Sequence, residues 1–158
     1  MKNQTNENWV KNNNWATPQY LLDYIKQEFF NWNDYFDPCP YNPYFEIDWL
    51  KLDWWKYTFC NPPYTPKEKV AFVNKCYEES KKWKIVVLLI PAATETQIFH
   101  KVIYPNSKVF LLEKRVKFMW HNTKWEYVTD KTGQSWSALC VFDWSWDYFI
   151  KPLTVNAD

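Results

Sequence analysis

Tyr57-Thr58-Phe59-Cys60-Asn61-Pro62-Pro63-Tyr64-Thr65-Pro66-Lys67-Glu68 reads as three pieces in succession: a strand, a corner and a helix start. Tyr57 to Cys60 is aromatic and β-branched, which suits a pleated, half-buried strand. Two consecutive prolines then fix φ and stiffen the chain where it must turn. Thr65 followed three residues later by Glu68 matches a capping box, in which hydroxyl and carboxylate satisfy the first helical turn. Val70, Val73, Cys76 and Tyr77 continue at helical spacing.

Downstream, Ile85-Val86-Val87-Leu88-Leu89-Ile90 has no polar alternation. Such a run suits a strand covered on both faces of a parallel sheet. Thr94-Glu95-Thr96-Gln97 offers a second capping box before Ile98, Phe99, Val102 and Ile103. Strand, helix, strand, helix is the order of an α/β layered fold. Upstream, Thr17-Pro18 opens a helix whose apolar face is Leu21, Leu22, Ile25 and Phe29, with the Thr17 hydroxyl as its expected cap. Tyr35 to Pro38 reads as a short strand ending in an acid, and Phe45 to Leu52 as strand-like.

After Lys108 the texture changes. Val109 to Leu112, Arg115 to Trp120, Trp125 to Thr129 and Ser137 to Phe142 all read as strands, with Asp130-Lys131-Thr132-Gly133 as a turn. These are expected to add antiparallel strands at one edge of a mixed sheet. Residues 1–14 are rich in Asn and aperiodic, so they read as a disordered or loosely docked tail, with a single domain over 15–158. No repeat or linker divides the chain.

Composition excludes several functions. The chain has 158 residues, enough for one core, and a single glycine, Gly133, so no glycine-built phosphate cradle exists. A formal net charge of +1 does not discriminate, because phosphate binding depends on local clustering. Lys81, Lys82 and Lys84 form one cluster and Lys114, Arg115 and Lys117 another, with Lys124 and Lys131 further on. Each can be a phosphate-binding patch or a solvated face. Cys39, Cys60, Cys76 and Cys140 contain no C-x-x-C pair and read as reduced, mostly buried thiols of a cytosolic protein. The longest apolar run is too short to cross a bilayer, so no membrane partner is expected. His100 and His121 have no partners at metal-ligand spacing, which argues against a metal site or a hydrolase triad.

The corner carries the chemistry. An adenine amino group is a poor nucleophile because its lone pair is delocalised into the ring. Two acceptors facing its two N–H bonds would draw the nitrogen toward tetrahedral geometry. The Asn61 side-chain amide oxygen and the Pro62 carbonyl can be that pair, Pro63 holds the turn, and Tyr64 can lie flat against a base flipped from the duplex. The alternative is a stiff structural turn, although such junctions sit where α/β sheets bind ligands. No covalent intermediate and no metal are required. The same clamp fits RNA adenine or a protein glutamine.

The chain resembles the phage-type DNA N-6-adenine methyltransferases of the Dam family across roughly residues 15–143. The matching pieces are Trp15-Ala16-Thr17-Pro18, Asp37-Pro38-Cys39, Asp48-Trp49-Leu50, Asn61-Pro62-Pro63-Tyr64, Leu88-Leu89-Ile90-Pro91-Ala92, Arg115-Val116-Lys117-Phe118 and Ser137-Ala138-Leu139. The resemblance implies a doubly wound, Rossmann-like methyltransferase fold that binds S-adenosylmethionine across the ends of its first strands. It implies Asp37 and Pro38 near the cofactor's amino-acid end, Trp15, Thr17 and Pro18 lining the same pocket, and Asp48 near the adenosine, with Asp53 competing for that role. Arg115 could fork onto a phosphate or base edge, or form a surface ion pair. Lys117, Lys124 and Lys131 would touch phosphates, the last two from a hairpin over 120–134. With few loops to read bases, a short target or a homodimer pooling its loops is expected. Larger amino-methyltransferases carry Asp-Pro-x-x-Gly where this chain has Asp37-Pro38-Cys39-Pro40-Tyr41. That departure motivates the alternative of a catalytically degenerate module that binds DNA or protein.

Overall fold

A computed structural model describes residues 16–40, 47–121, 127–128 and 135–156. The N-terminal tail, Trp15, Lys124, Lys131 and the turn at Gly133 lie outside the described residues. A five-stranded sheet runs in the order β1 (Tyr57–Cys60), β2 (Ile85–Pro91), β6 (Ser137–Phe142), β3 (Lys108–Leu112) and β7 (Ile150–Leu153). A separate two-stranded ladder pairs β4 (Trp120–His121) with β5 (Tyr127–Val128).

The expected α/β layering is present, with helical segments on both faces of a mixed sheet. Alternate strand residues feed two cores. Phe59, Val87, Leu89, Leu139 and Val141 meet Leu21 and Ile25 of α1 (Gln19–Glu28) on one face. Cys60, Val86, Leu88, Ile90, Ala138 and Cys140 meet Phe72, Val73 and Cys76 of α2 (Pro66–Ser80) and Phe99 and Ile103 of a π-helical segment (Phe99–Ile103) on the other. Val86 to Ile90 are all buried. At about 2 kcal/mol per buried side chain, that run contributes on the order of 10 kcal/mol, which accounts for its place inside the sheet.

The C-terminal third extends the sheet beyond the β2 edge, as expected, in an order that was not foreseen. β6 does not sit at an edge: it inserts antiparallel between β2 and β3, while β3 pairs parallel with β7. The burial of every β6 residue explains this, since a strand apolar on both sides gains most in the interior. β7 was not anticipated, because Pro152 breaks the strand pattern. A proline is tolerated there because β7 is the edge strand.

Other differences are local. Tyr35 to Pro38 makes a single parallel bridge, Phe36 to Thr58. The described part of 45–52 is a 3-10 turn over Trp49–Lys51. Arg115 to Trp120 is irregular apart from short pairings such as Ala16 to Met119. The hydroxyl half of the Thr65 box forms: it accepts from the Glu68 N–H at 3.4 Å, while the Glu68 carboxylate accepts from that same hydroxyl. The second box does not form among the described residues: the segment is capped at Ile98 without a side-chain bond, and inside the box the Thr96 hydroxyl donates back to the Ala93 carbonyl at 2.7 Å. Short hydroxyl side chains compete in this way for nearby backbone groups.

Candidate functional site

β1 delivers Asn61 to its carboxyl end, and α2 begins five residues later with Pro66 in its first turn. The strand-corner-helix reading therefore holds. Asn61 is 9% exposed, Pro62 is buried, and Pro63 and Tyr64 are half-buried. Both ends of the Asn61 amide are engaged. Its Nδ2 donates to Thr17 Oγ1 at 3.2 Å, and its Oδ1 accepts from the Tyr64 hydroxyl at 2.8 Å.

Thr17 therefore does not cap α1, whose cap position is Pro18 with no side-chain bond. Its hydroxyl points to the corner instead. Ala16 and Met119 exchange backbone hydrogen bonds at 2.8 and 3.0 Å, which ties the 16–18 segment to the 113–119 segment. From the latter, the Phe118 ring meets Tyr64 edge-on at 6.5 Å. Two stretches distant in sequence thus meet at the corner, one on Asn61 and one on Tyr64. Burial raises the Tyr64 phenol above its ordinary value, so the hydroxyl stays protonated and able to donate. Burial, with Cys39 and Cys76 alongside, likewise pushes up the Cys60 thiol. Cys60 is therefore a packed neutral group rather than a nucleophile.

Asp37 follows Phe36, whose pairing with Thr58 places it beside β1. Burial raises its carboxyl to about 6, against the opposing bond from the Cys39 N–H at 2.8 Å. Among the described residues no lysine or arginine pairs with it. A half-buried, desolvated acid without a cationic partner is costly. The site therefore fits a ligand that brings a positive charge, as the amino-acid end of S-adenosylmethionine does.

The other expected acids are engaged elsewhere. Asp48 is half exposed and bridges Lys51 at 2.9 Å. Asp53 lies within 2.8 Å of Lys82 and 2.9 Å of Lys84, whose hydrogen bonds hold its carboxyl well below the usual range. The cluster at 81–84 is therefore spent within the protein. Lys81 pairs with Glu78, while Lys82 and Lys84 converge on Asp53 and on Glu79, which is fully buried.

Among the described residues Arg115 does not form the surface ion pair considered from sequence. Its guanidinium lies over the Trp136 ring at 5.2 Å, and that ring is 52% exposed. Val116 and Phe118 are buried in the α1-side core, while Lys114, Arg115 and Lys117 stay exposed. Trp136 precedes β6 and its carbonyl accepts from the Ala92 N–H at 2.8 Å. The register opposite Pro91 puts this basic and aromatic rim at the same end of the sheet as Asn61. Trp136 had no sequence signal beyond aromaticity and Phe118 only its place in the Arg115-Val116-Lys117-Phe118 match, because the contact each makes runs across the fold.

A family model for DNA N-6-adenine-methyltransferase (Dam) matches residues 4–156. No curated protein matches the chain. A solved structure described as a class I S-adenosylmethionine-dependent methyltransferase from Listeria monocytogenes is similar at 14% identity and a TM-score of 0.42. The match covers 70% of this chain and 40% of that one, so the chain spans well under half of that protein's length.

Proposed function

The chain belongs to the DNA N-6-adenine-methyltransferase (Dam) family, and from that membership we propose that it methylates the exocyclic amino group of adenine in DNA, using S-adenosylmethionine. The observation that carries this reading is the corner itself: a buried Asn61 amide, fixed at both ends, at the carboxyl end of a parallel strand.

Bound S-adenosylmethionine would supply an electrophilic methyl group on a sulfonium. Asn61 Oδ1 and the Pro62 carbonyl accept the two amine hydrogens and localise the nitrogen lone pair. The adenine is turned out of the duplex to reach them. Tyr64 now donates to the oxygen the amine needs, so it swings off that contact and stacks on the entering base. Thr17, Pro18, Asp37 and Pro38 form the cofactor side, with Asp37 holding the amine end. Asp48 reaches the adenosine only by leaving Lys51. The exposed side chains of Arg115 and Lys117 meet phosphates near the flipped base, and Lys124 and Lys131 extend that contact.

Labelled S-adenosylmethionine offered with DNA, RNA and a glutamine-containing peptide tests this. Label is expected in DNA alone, on adenine N6. Label in RNA or peptide reassigns the substrate. Calorimetry without any S-adenosylmethionine binding favours the DNA- or protein-binding module instead.

Asp37 adds a pH signature. Ionised Asp37 is needed to hold a cationic amine, so S-adenosylmethionine affinity is expected to rise as pH increases through about 6 and then level off. Asp37→Asn should weaken binding and flatten the profile. The effect on folding runs the other way, because burial favours the neutral acid. The Asp37 contribution to stability falls as pH rises from the ordinary carboxylate range through about 6. Calorimetric titrations between these limits check both.

A further inference from the structure

We propose, resting on the functional reading above, that Thr17 is a positioning residue whose hydroxyl decides which end of the Asn61 amide faces the reacting amine. The two ends of a primary amide are nearly identical in shape and opposite in hydrogen bonding. The oxygen accepts from an adenine N–H, whereas the nitrogen would set donor against donor. A half-turn about the last side-chain bond of Asn61 therefore removes the acceptor without moving the backbone.

Tyr64 on the oxygen and Thr17 on the nitrogen both oppose that turn. Either could accept or donate in principle. Their chemistries separate the roles. A phenol oxygen shares its lone pair with the ring, so it donates more strongly and accepts more weakly than an alkyl hydroxyl. Tyr64 therefore claims the oxygen end and leaves the nitrogen to Thr17.

Thr17 becomes decisive when substrate enters. Stacking on a base takes Tyr64 away from Asn61, while Thr17 stays because it is anchored independently. Its neighbour Ala16 is paired to Met119, and Pro18 follows at φ −65°. Thr17 is also 9% exposed, so water competes poorly for its hydroxyl. Because α1 takes no side-chain cap, that hydroxyl has no competing structural duty there.

Thr17→Val keeps the shape and removes the hydroxyl, and Thr17→Ser keeps the hydroxyl. In Thr17→Val, kcat is expected to fall about 100-fold, the scale of a misplaced reacting group, with KM for DNA and for S-adenosylmethionine little changed. Thr17→Ser should restore most of the rate. An increased KM for S-adenosylmethionine at unchanged kcat would overturn the proposal and assign Thr17 to the cofactor pocket alone. A second readout needs no turnover. With asparagine labelled in nitrogen-15, the Asn61 side-chain amide is identified by its loss in Asn61→Ser. Its hydrogen-bonded proton should move upfield in Thr17→Val and stay in Thr17→Ser. An unmoved signal in Thr17→Val overturns the contact. Absence of methyl transfer by the wild type, with the signal shifting as expected, overturns the functional reading and the catalytic consequence drawn from it, and leaves the contact standing.

Discussion

Asn61→Ala is expected to lower kcat for methyl transfer to DNA by about 10²–10³-fold, the usual cost of deleting one preorganised group from a polar catalytic clamp. Affinity for S-adenosylmethionine should change less than kcat, since Asp37 and Pro38, proposed to hold its amino-acid end, are left in place. The thermal midpoint should fall modestly, because the stranded hydroxyls of Thr17 and Tyr64 can rebond to water entering the space. Asn61→Asp, which keeps an acceptor oxygen in place, should retain more activity than Asn61→Ala. Single-turnover rates with labelled cofactor, alongside thermal melts, check these outcomes. Unchanged methyl transfer in Asn61→Ala would remove the proposed clamp.

The second large effect is on stability. Glu79 is fully buried near the end of α2 and lies 2.7 Å from Lys75, 2.6 Å from Lys84 and 3.0 Å from Lys82. It also accepts from the Trp54 N–H at 3.3 Å. Lys84 is only 11% exposed, and it donates as well to the Trp54 carbonyl. Glu79 therefore joins α2, the start of β2 and the loop that carries Trp54 into the core. Trp54 in turn stacks on Phe72 and donates its indole N–H to the Trp49 carbonyl at 3.0 Å. Removing one partner of a buried ion pair leaves the other charges uncompensated, so Glu79→Ala should cost about 3–5 kcal/mol. For a chain of this length that is a drop of roughly 6–20 °C in thermal midpoint.

The pH dependence has a definite sign. Burial alone would raise the Glu79 carboxyl, but its bonds from Lys75, Lys84 and Lys82 outweigh burial and lower it. The resulting stability is present above the ordinary glutamate value and is lost as pH falls through the lowered one. Glu79→Gln should flatten that part of the acid unfolding curve. An Ala variant as stable as wild type at neutral pH would show the network to be incidental.

The corner was legible in the sequence because its determinants are local. Pro62 and Pro63 restrict their own φ, and Thr65 with Glu68 satisfies amides within one turn. The apolar run 85–90 announced a strand buried on both faces by its lack of alternation alone. The antiparallel addition after Lys108 at one edge was legible as well, but the order β6, β3, β7 within it was not. Direction and place are different problems, since neighbour order depends on which apolar faces remain uncovered once the sheet closes. β7 was hidden by Pro152, whose tolerance depends on occupying an edge.

Charged and polar side chains were the least legible. Lys82 and Lys84 looked like candidates for phosphate until Glu79 and Asp53 were seen beside them. The ion-pair reading of Arg115 gave way to a ring contact, because Trp136 offers its face from the far side of a long connection. Thr17 was read as a helix cap and instead reaches Asn61, 44 residues away.

The sequence by itself determined the α/β layering, the rigid corner and the residues that can act there, since propensity, proline geometry and capping operate over a few neighbouring residues. Only the tertiary structure decided the strand order and the partners that Lys84, Arg115 and Thr17 find far along the chain. Those depend on which groups burial brings together, and a buried charge or amide settles on whichever partner best offsets its lost water.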